Sequence, residues 1–416
     1  MASPLCACST GCGPMERPSM SSTLARTLAR RVLDGGAARA SCRKPSAGWR
    51  ASASRGSTRA GQRPCMRFTW AARPRMSKDH LKRDIIRAVT DVSAAEQPAD
   101  QWLVPLGERQ PDKRNHFVLF LKPELLAVRE GVKLGAILDL IAAALRKHGV
   151  ETGAVRVLNG AYLAQHKIME EHYGVINRAS RLGRAALSPP TLQKLEAECP
   201  GIKGILGAHE FLQRYPEVSA FALNVIVDSL GSKKIASGKY YSVLNVAGER
   251  MVVLNAFHPQ QLLHYTRPGK ALVVFECWSD TDWAVLRQEM TGATDPARAA
   301  EGSIRQTLRA RSHELGLPEV TTATNGVHCS AGPFEAMLEY CRFFSDHAGS
   351  AVIRPSATPF GHMLLERGLR QKDIAALAKN PLLGEGSAAA YVFNQTEDKN
   401  SGFAADLLAE AMRNAA

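Results

Sequence analysis

A histidine two residues before a serine, leading into a helix start, offers the most chemistry in this chain. From Thr324 to Phe344 the sequence reads T-N-G-V-H-C-S-A-G-P-F-E-A-M-L-E-Y-C-R-F-F. His328 falls on a short extended segment and Ser330 follows it. Pro333 then takes the first position of a helix and Glu335 the third. On that helix Phe334, Met337, Leu338 and Cys341 share an apolar face, with Glu335 and Glu339 four apart on the other. A helix N-terminus presents free N–H groups and partial positive charge, which suits a phosphate held beside the histidine. By itself the pattern also describes a structural histidine and two solvated glutamates.

A second motif lies upstream, T-G-A-T-D-P-A-R-A-A-E-G-S-I-R from Thr291 to Arg305. Together the two stretches resemble the nucleoside diphosphate kinase family, which carries G-x-T-[ND]-P, then G-[TS]-I-R, then N-x-x-H-x-S with a Glu eleven residues after the His. The matching residues are Gly292, Thr294, Asp295, Pro296, Gly302, Ser303, Ile304, Arg305, Asn325, His328, Ser330 and Glu339. Lys122-Pro123-Glu124 is similar to the family's K-P-[DE], and Glu171-His172-Tyr173 to its E-H-Y. The resemblance covers 116 to 173 and 257 to 344.

The resemblance implies transfer of the terminal phosphate of a nucleoside triphosphate to a diphosphate through a phosphohistidine. His328 would be the nucleophile, Glu339 would fix its tautomer and orientation, and Ser330 would complete that support. Lys122 and Arg305 would hold the phosphates, Thr294 would donate to one of them, and Asn325 would bind sugar and phosphate oxygens. Tyr173 joins the nucleotide-binding set. His258 or Phe257 would stack on the base, and Leu262 or Leu263 would pack beside it. Mg²⁺ would arrive on the nucleotide, so no acidic metal box is required. ATP and nucleoside diphosphates are the partners implied, with a homo-oligomer possible.

Three departures qualify the match. A long stretch, 174 to 256, separates Tyr173 from Phe257 where the family has a short connection. The family's Arg four residues before the Gly of G-x-T-[ND]-P is Gln288 here, with Arg287 one step off, about 100° around a helix. The span from Arg305 to Asn325 is about twice the family's, which puts the oligomer in doubt. A module of this fold that binds nucleotide without turnover is the alternative reading.

Positioning these residues needs a sheet and its helices. His116 to Leu121 is a continuous apolar run of strand length stopped by Pro123. Leu134, Ile137, Leu138, Ile141 and Leu145 follow helical spacing, with Gly149 as C-cap. Val155 to Leu158 and Ala271 to Trp278 read as strands, and Gly160 to Tyr173 as a helix. The order predicts an α+β sandwich with helices covering one side of the sheet. With the resemblance this becomes a ferredoxin-like sandwich over 116 to 344, its antiparallel sheet covered by helices. It would carry an inserted subdomain at 174 to 256, including a hairpin from Tyr240 to Leu254. A C-terminal helical extension over 345 to 416 is expected around Met363 to Leu369, Ile374 to Ala378 and Ala404 to Met412. Residues 79 to 115 read as a linker with a helix on Leu81, Ile85, Ile86 and Val89, then a loop holding Pro98 and Pro105.

Composition narrows the function classes. The chain has 416 residues, 45% hydrophobic and 22% charged, enough for a sizeable core. The net charge of +14 sits at one end: residues 1 to 78 carry fifteen Lys and Arg against two acids, and the rest 38 against 37. A nearly neutral body argues against a nucleic-acid binder. The basic, acid-poor first segment, with Leu24, Leu28, Val32 and Leu33 on one helical face, has transit-peptide composition for a mitochondrion or plastid. The alternative is a start at Met66 or Met76 and a cytoplasmic chain. No apolar run is long enough to span a bilayer, so a soluble chain with no membrane partner is expected.

Of nine cysteines, Cys199, Cys277, Cys329 and Cys341 lie beyond that segment, with no zinc-ligand spacing. His166 and His172 are six apart, on different helix faces, and no H-E-x-x-H occurs, so no metal site is predicted. Gly231 to Lys239 imitates a phosphate loop, but its spacing is wrong and Tyr240 replaces the required hydroxyl residue. Cys329, beside His328, reads either as a small buried residue or as an oxidation-sensitive thiol.

Overall fold

A computed structural model of the protein describes residues 78–107, 112–349, 351–384 and 389–414. The predicted transit segment lies outside the described residues. Arg178–Phe257 makes one compact unit; the described residues up to Asn177, with His258 onward, make another.

The larger unit opens with α1, Lys78–Ala94, whose Ile85, Ala88, Val89 and Val92 are buried at helical spacing. Where a loop was expected, β1, Asp100–Val104, pairs antiparallel with β3, Glu151–Asn159. Pro98 and Pro105 bracket this edge strand, the positions at which proline leaves a ladder intact. Within the stretch read as a linker, Lys78–Ala94 and Asp100–Val104 thus pack on the sheet; a five-residue, half-buried strand leaves little periodicity to read.

Strand β2, Asn115–Leu121, is buried at every position. It lies between β8, Ala271–Ser279, and β9, Val327–Cys329, antiparallel to both. The sheet order is β1-β3-β8-β2-β9. With β1 set aside, that places the second, third, first and fourth strands side by side, the arrangement of the ferredoxin-like βαββαβ sandwich. The class is α+β.

Helices cover both faces of the sheet, not one. Phe117, Leu119, Leu121, Val155 and Val273 pack with α1 and with α2, Leu134–Lys147. Val118, Phe120, Leu158 and Val274 pack with Tyr162, Leu163, Ile168, Met169 and Phe343. The uninterrupted apolar run of β2 is the signature of a strand buried on two sides. On α2 the residues at predicted core positions, Leu134, Ile137, Leu138, Ile141 and Leu145, are all buried. Each contributes about 1.5–3 kcal/mol, so Ile137→Asp would open this face.

The helix expected from Gly160 to Tyr173 is broken in two, α3 at Gly160–Gln165 and α4 at Ile168–His172. Lys167 takes a left-handed φ of 53° between them. The Asn159 side chain caps α3 through the Tyr162 N–H at 2.8 Å. This turn swings His172 and Tyr173 toward the face that carries His328.

The chain then runs through α5, Gly174–Leu182, into the smaller unit. There α6, Pro189–Glu198, precedes strand β4, Gly204–Gly207, and α7, Ala208–Arg214, and α8, Ala220–Leu230, follow it. The predicted hairpin is β6, Lys239–Val246, and β7, Glu249–Leu254, turning at Ala247 and Gly248 with φ of 51° and 83°. Two positive φ values are what a two-residue hairpin turn demands. With β5, Lys233–Ala236, they form a sheet of order β4-β7-β6-β5, packed apolar on both faces.

Back in the larger unit, α9 is His258–Thr266, α10 is Ile304–Ala310 and α11 is Pro333–Phe344. The C-terminal extension supplies α12 (Pro359–Glu366), α13 (Gln371–Leu377), α14 (Val392–Thr396) and α15 (Ser401–Asn414). Phe360, Leu364, Ile374 and Leu408 close over Phe334 and Met337 of α11. The extension is therefore built onto the helix that carries Glu339. Among the described residues no helix is long and apolar enough to cross a membrane.

Candidate active site

Strand β9 sets His328 opposite Phe120 of β2, and the two rings stack at 4.5 Å with a 17° tilt. The strand can begin only because Gly326 precedes it: φ is +82° there, and a Cβ would meet Leu308 at 2.6 Å. His328 Nε2 lies 2.6 Å from Glu339 Oε1. The other Glu339 oxygen accepts the Ser330 hydroxyl at 2.5 Å, and Ser330 Oγ accepts the Val118 N–H at 3.0 Å. A ring, a carboxylate and a hydroxyl are thus tied to β2, an inner strand of the sheet.

Burial governs the protonation of this cluster. It pulls the His328 pKa down to about 3, a direction reinforced by the charges of Lys122, Arg305 and Arg287 although Glu335 opposes it. The imidazole is neutral at physiological pH. Burial, with Glu339 adding, lifts Glu335 to about 7, and its Oε2 accepts the Ala331 N–H at 2.5 Å. Burial raises Glu339 also, against the hydroxyl of Ser330. We take the His328–Glu339 contact as Nε2–H donating to the carboxylate, which leaves the Nδ1 lone pair uncommitted.

Cations lie within electrostatic reach of that ring. Lys122, at the end of β2, donates to Asn325 Oδ1 at 2.6 Å, and burial lowers its pKa to about 8. Arg305, on the first turn of α10, donates to the carbonyls of Gly292 and Val327 at 2.8 and 2.9 Å. Its Nε is buried without a hydrogen-bond partner, and burial lowers its pKa to about 10. Asn325 Nδ2 donates to the Thr294 carbonyl at 2.9 Å, so Thr294 is placed here by its backbone while its side chain is exposed. Glu124 ties the loop down by accepting the Gly326 N–H at 2.9 Å and meeting His264 at 2.7 Å.

No family model matches the chain. The crystal structure of an NDP kinase from Pyrobaculum aerophilum overlays 56% of this chain and 96% of its own, at 20% identity and a TM-score of 0.28. A nucleoside diphosphate kinase of Rhodopseudomonas palustris (strain BisA53) is 27% identical over 129 residues, 30% of this chain and 81% of the relative. The chain carries a nucleoside diphosphate kinase-like domain.

In this kinase-like domain His328, Glu339, Ser330, Lys122, Asn325 and Arg305 converge, and other predicted positions fall differently. Arg287 ends in two carboxylates of the C-terminal extension, Glu397 at 3.0 Å and Asp398 at 2.7 Å. Burial works against its charge, but these acids raise its pKa, so its guanidinium is already engaged. His258 is fully buried, with Gln261 at 3.0 Å and Asn177 at 3.3 Å as side-chain partners, rather than presenting an open ring for stacking. The alternative stacking residue, Phe257, packs edge-on to Tyr240 within the smaller unit. Tyr173 shares a hydrogen bond with Tyr265 at 2.9 Å and packs edge-on to His172.

His172 is the neighbour that residue spacing assigned no part. Its ring meets His328 edge-on at 4.8 Å, and its Nδ1 is 3.3 Å from Glu339 Oε1. The E-H-Y triplet was its signal in the sequence. Glu335, read with Glu339 on the polar face of the helix, is half-buried and its carboxyl accepts the Ala331 N–H. Cys329 is buried and its thiol is pushed up to about 12 by that burial, so it stays protonated.

Proposed function

We propose that this chain is a nucleoside diphosphate kinase working through a phosphohistidine in two in-line steps. His328 Nδ1 attacks the terminal phosphorus of a nucleoside triphosphate; the bond to the bridging oxygen breaks and the diphosphate leaves. A terminal oxygen of a second diphosphate then attacks the same phosphorus, the N–P bond breaks, and the ring returns to its neutral form. The observation that carries this reading is the 2.6 Å contact of His328 Nε2 with the buried Glu339 carboxylate, beside the buried Lys122 and the half-buried Arg305. The carboxylate keeps the ring's proton on Nε2 and stabilises the positive charge that develops as Nδ1 bonds to phosphorus.

Lys122 and Arg305 are the residues to neutralise the phosphates, and most of the rate comes from such positioning. When bound to the nucleotide, Mg²⁺ supplies further charge neutralisation. Lys122, Arg305 and Asn325 are cation and amide donors, which fit phosphate oxygens and leave the ion to the nucleotide. Residues 1 to 78 are proposed as a mitochondrial or plastid targeting segment, on their basic, acid-poor composition.

Incubating the full chain with γ-labelled ATP tests the reading. Acid-labile, alkali-stable label that GDP removes and that His328→Ala abolishes is the expected result. The engagement of Arg287 by Glu397 and Asp398 favours a second reading, a nucleotide-binding module without turnover. That reading requires nucleotide binding with no label in wild type or variant.

A further inference from the structure

We propose that His172, His328 and Glu339 form a binding site for a divalent transition metal of the Zn²⁺ type, and that its occupation switches the nucleophile off. The switch rests on the function proposed above; the metal site rests on geometry alone.

The three side chains come from α4, β9 and α11 and bring one ligand atom each, all within 4.8 Å of one another. Glu339 Oε1 is 2.6 Å from His328 Nε2 and 3.3 Å from His172 Nδ1. Tetrahedral zinc with bonds of about 2.0–2.1 Å separates its ligands by about 3.3 Å. The His172 edge already has that length, and the His328 edge has to open by less than about 1 Å.

A second observation points to a ligand. His172 Nδ1 is buried, close to the carboxylate, and lacks a partner of hydrogen-bonding geometry. Buried polar atoms are ordinarily satisfied, and this one aims into the cluster. Two imidazoles and one carboxylate are a common zinc set with a fourth position open, and they discriminate against Mg²⁺, which takes oxygen ligands. Burial holds both rings neutral, the form that binds metal. The partly exposed His328 is the way in, since its side chain is 17% accessible against 4% for His172 and 0% for Glu339.

The consequence follows from counting protons. A neutral imidazole carries one N–H. While Glu339 accepts it from Nε2, the Nδ1 lone pair can attack phosphorus. A metal on Nε2 takes that nitrogen's lone pair, and the ring's proton moves to Nδ1. Nδ1 can then no longer attack. Nothing is oxidised, and any proton on Glu339 is released to solvent.

Calorimetric titration of the full chain with Zn²⁺, alone and in His172→Gln, tests the site. One equivalent bound by wild type, with affinity weakened by about tenfold or more in the variant, is expected. Co²⁺ should show the absorption of a tetrahedral ion, and Mg²⁺ should not compete. ¹⁵N shifts of the His328 ring in the wild-type chain give a second readout that does not depend on the folding of His172→Gln. Zn²⁺ should shift Nε2 as a metal ligand and leave Nδ1 protonated. Zn²⁺ affinity equal in wild type and folded His172→Gln, or unchanged His328 shifts, overturns the site. Phosphohistidine labelling that survives saturating Zn²⁺ overturns the switch. If the metal-free chain takes no label, the kinase reading and the switch fail, while stoichiometry and ring shifts still decide the metal site.

Discussion

Glu339 Oε1 sits 2.6 Å from His328 Nε2, yet the two residues belong to different layers: the ring stands on β9 of the sheet and the carboxylate on α11 packed against it. The contact exists only if sheet and helix dock correctly. Ser330, bonded both to Glu339 and to the backbone of β2, locks that docking.

Glu339→Gln should preserve packing and lose catalysis. An amide that donates to Nε2 holds the ring's proton on Nδ1, the wrong tautomer, so the rate of phosphohistidine formation should fall by about 100-fold or more. Rapid-quench labelling measures it, with an unchanged circular dichroism spectrum as control. A rate within threefold of wild type would remove Glu339 from the mechanism.

Nucleotide affinity should weaken above pH 8. Burial lowers Lys122 to about 8, so the folded chain loses this charge from pH 8 upward while the unfolded chain keeps it until about 10.5. KM for ATP should rise by about tenfold between pH 7 and pH 9.5, and Lys122→Met should show a high, flat KM across that range. In that window the unfolded chain binds more protons, so stability rises with pH. Lys122→Met should therefore unfold at a higher temperature at pH 7, by about 1–3 kcal/mol of added stability.

Arg305 and Arg287 should separate when each is changed to Ala. Arg305 is held on two carbonyls with its Nε unpartnered, and its loss should reduce labelling by about 100-fold. Arg287 is committed to Glu397 and Asp398, so its loss should leave labelling within about tenfold. It should cost about 1–2 kcal/mol of stability after solvent screening of the two half-exposed acids. Parallel labelling and denaturant titrations distinguish the pair; equal losses of labelling would contradict the assignment.

Glu335→Gln should stabilise the chain at alkaline pH only. Burial lifts Glu335 from 4.5 to about 7, so the folded state keeps a proton that the unfolded state has released over that window. Stability therefore falls as pH rises from 4.5 to 7, and the cost is complete above 7. Glutamine keeps the acceptor for the Ala331 N–H. At pH 8.5 the variant should gain about 1–2 kcal/mol, and near pH 4.5 nothing. Thermal melts at both pH values check it.

Local sequence determined the parts of this protein whose signals are short-ranged. The i, i+3, i+4 spacing fixed α2, the continuous apolar run fixed β2, and the turn residues fixed the hairpin at Ala247-Gly248. Motif spacing singled out His328, Ser330 and Glu339, because a strand–turn–helix segment sets their separation almost by itself. Tertiary structure decided what depends on distant chain meeting. The edge strand β1 and the break at Lys167 come from packing that no local pattern encodes. So do the capture of Arg287 by the C-terminal extension and the arrival of His172 beside His328. A side chain's charge, its free nitrogen and its partners are properties of an enclosed volume, and that volume exists only once separated segments have excluded water from it.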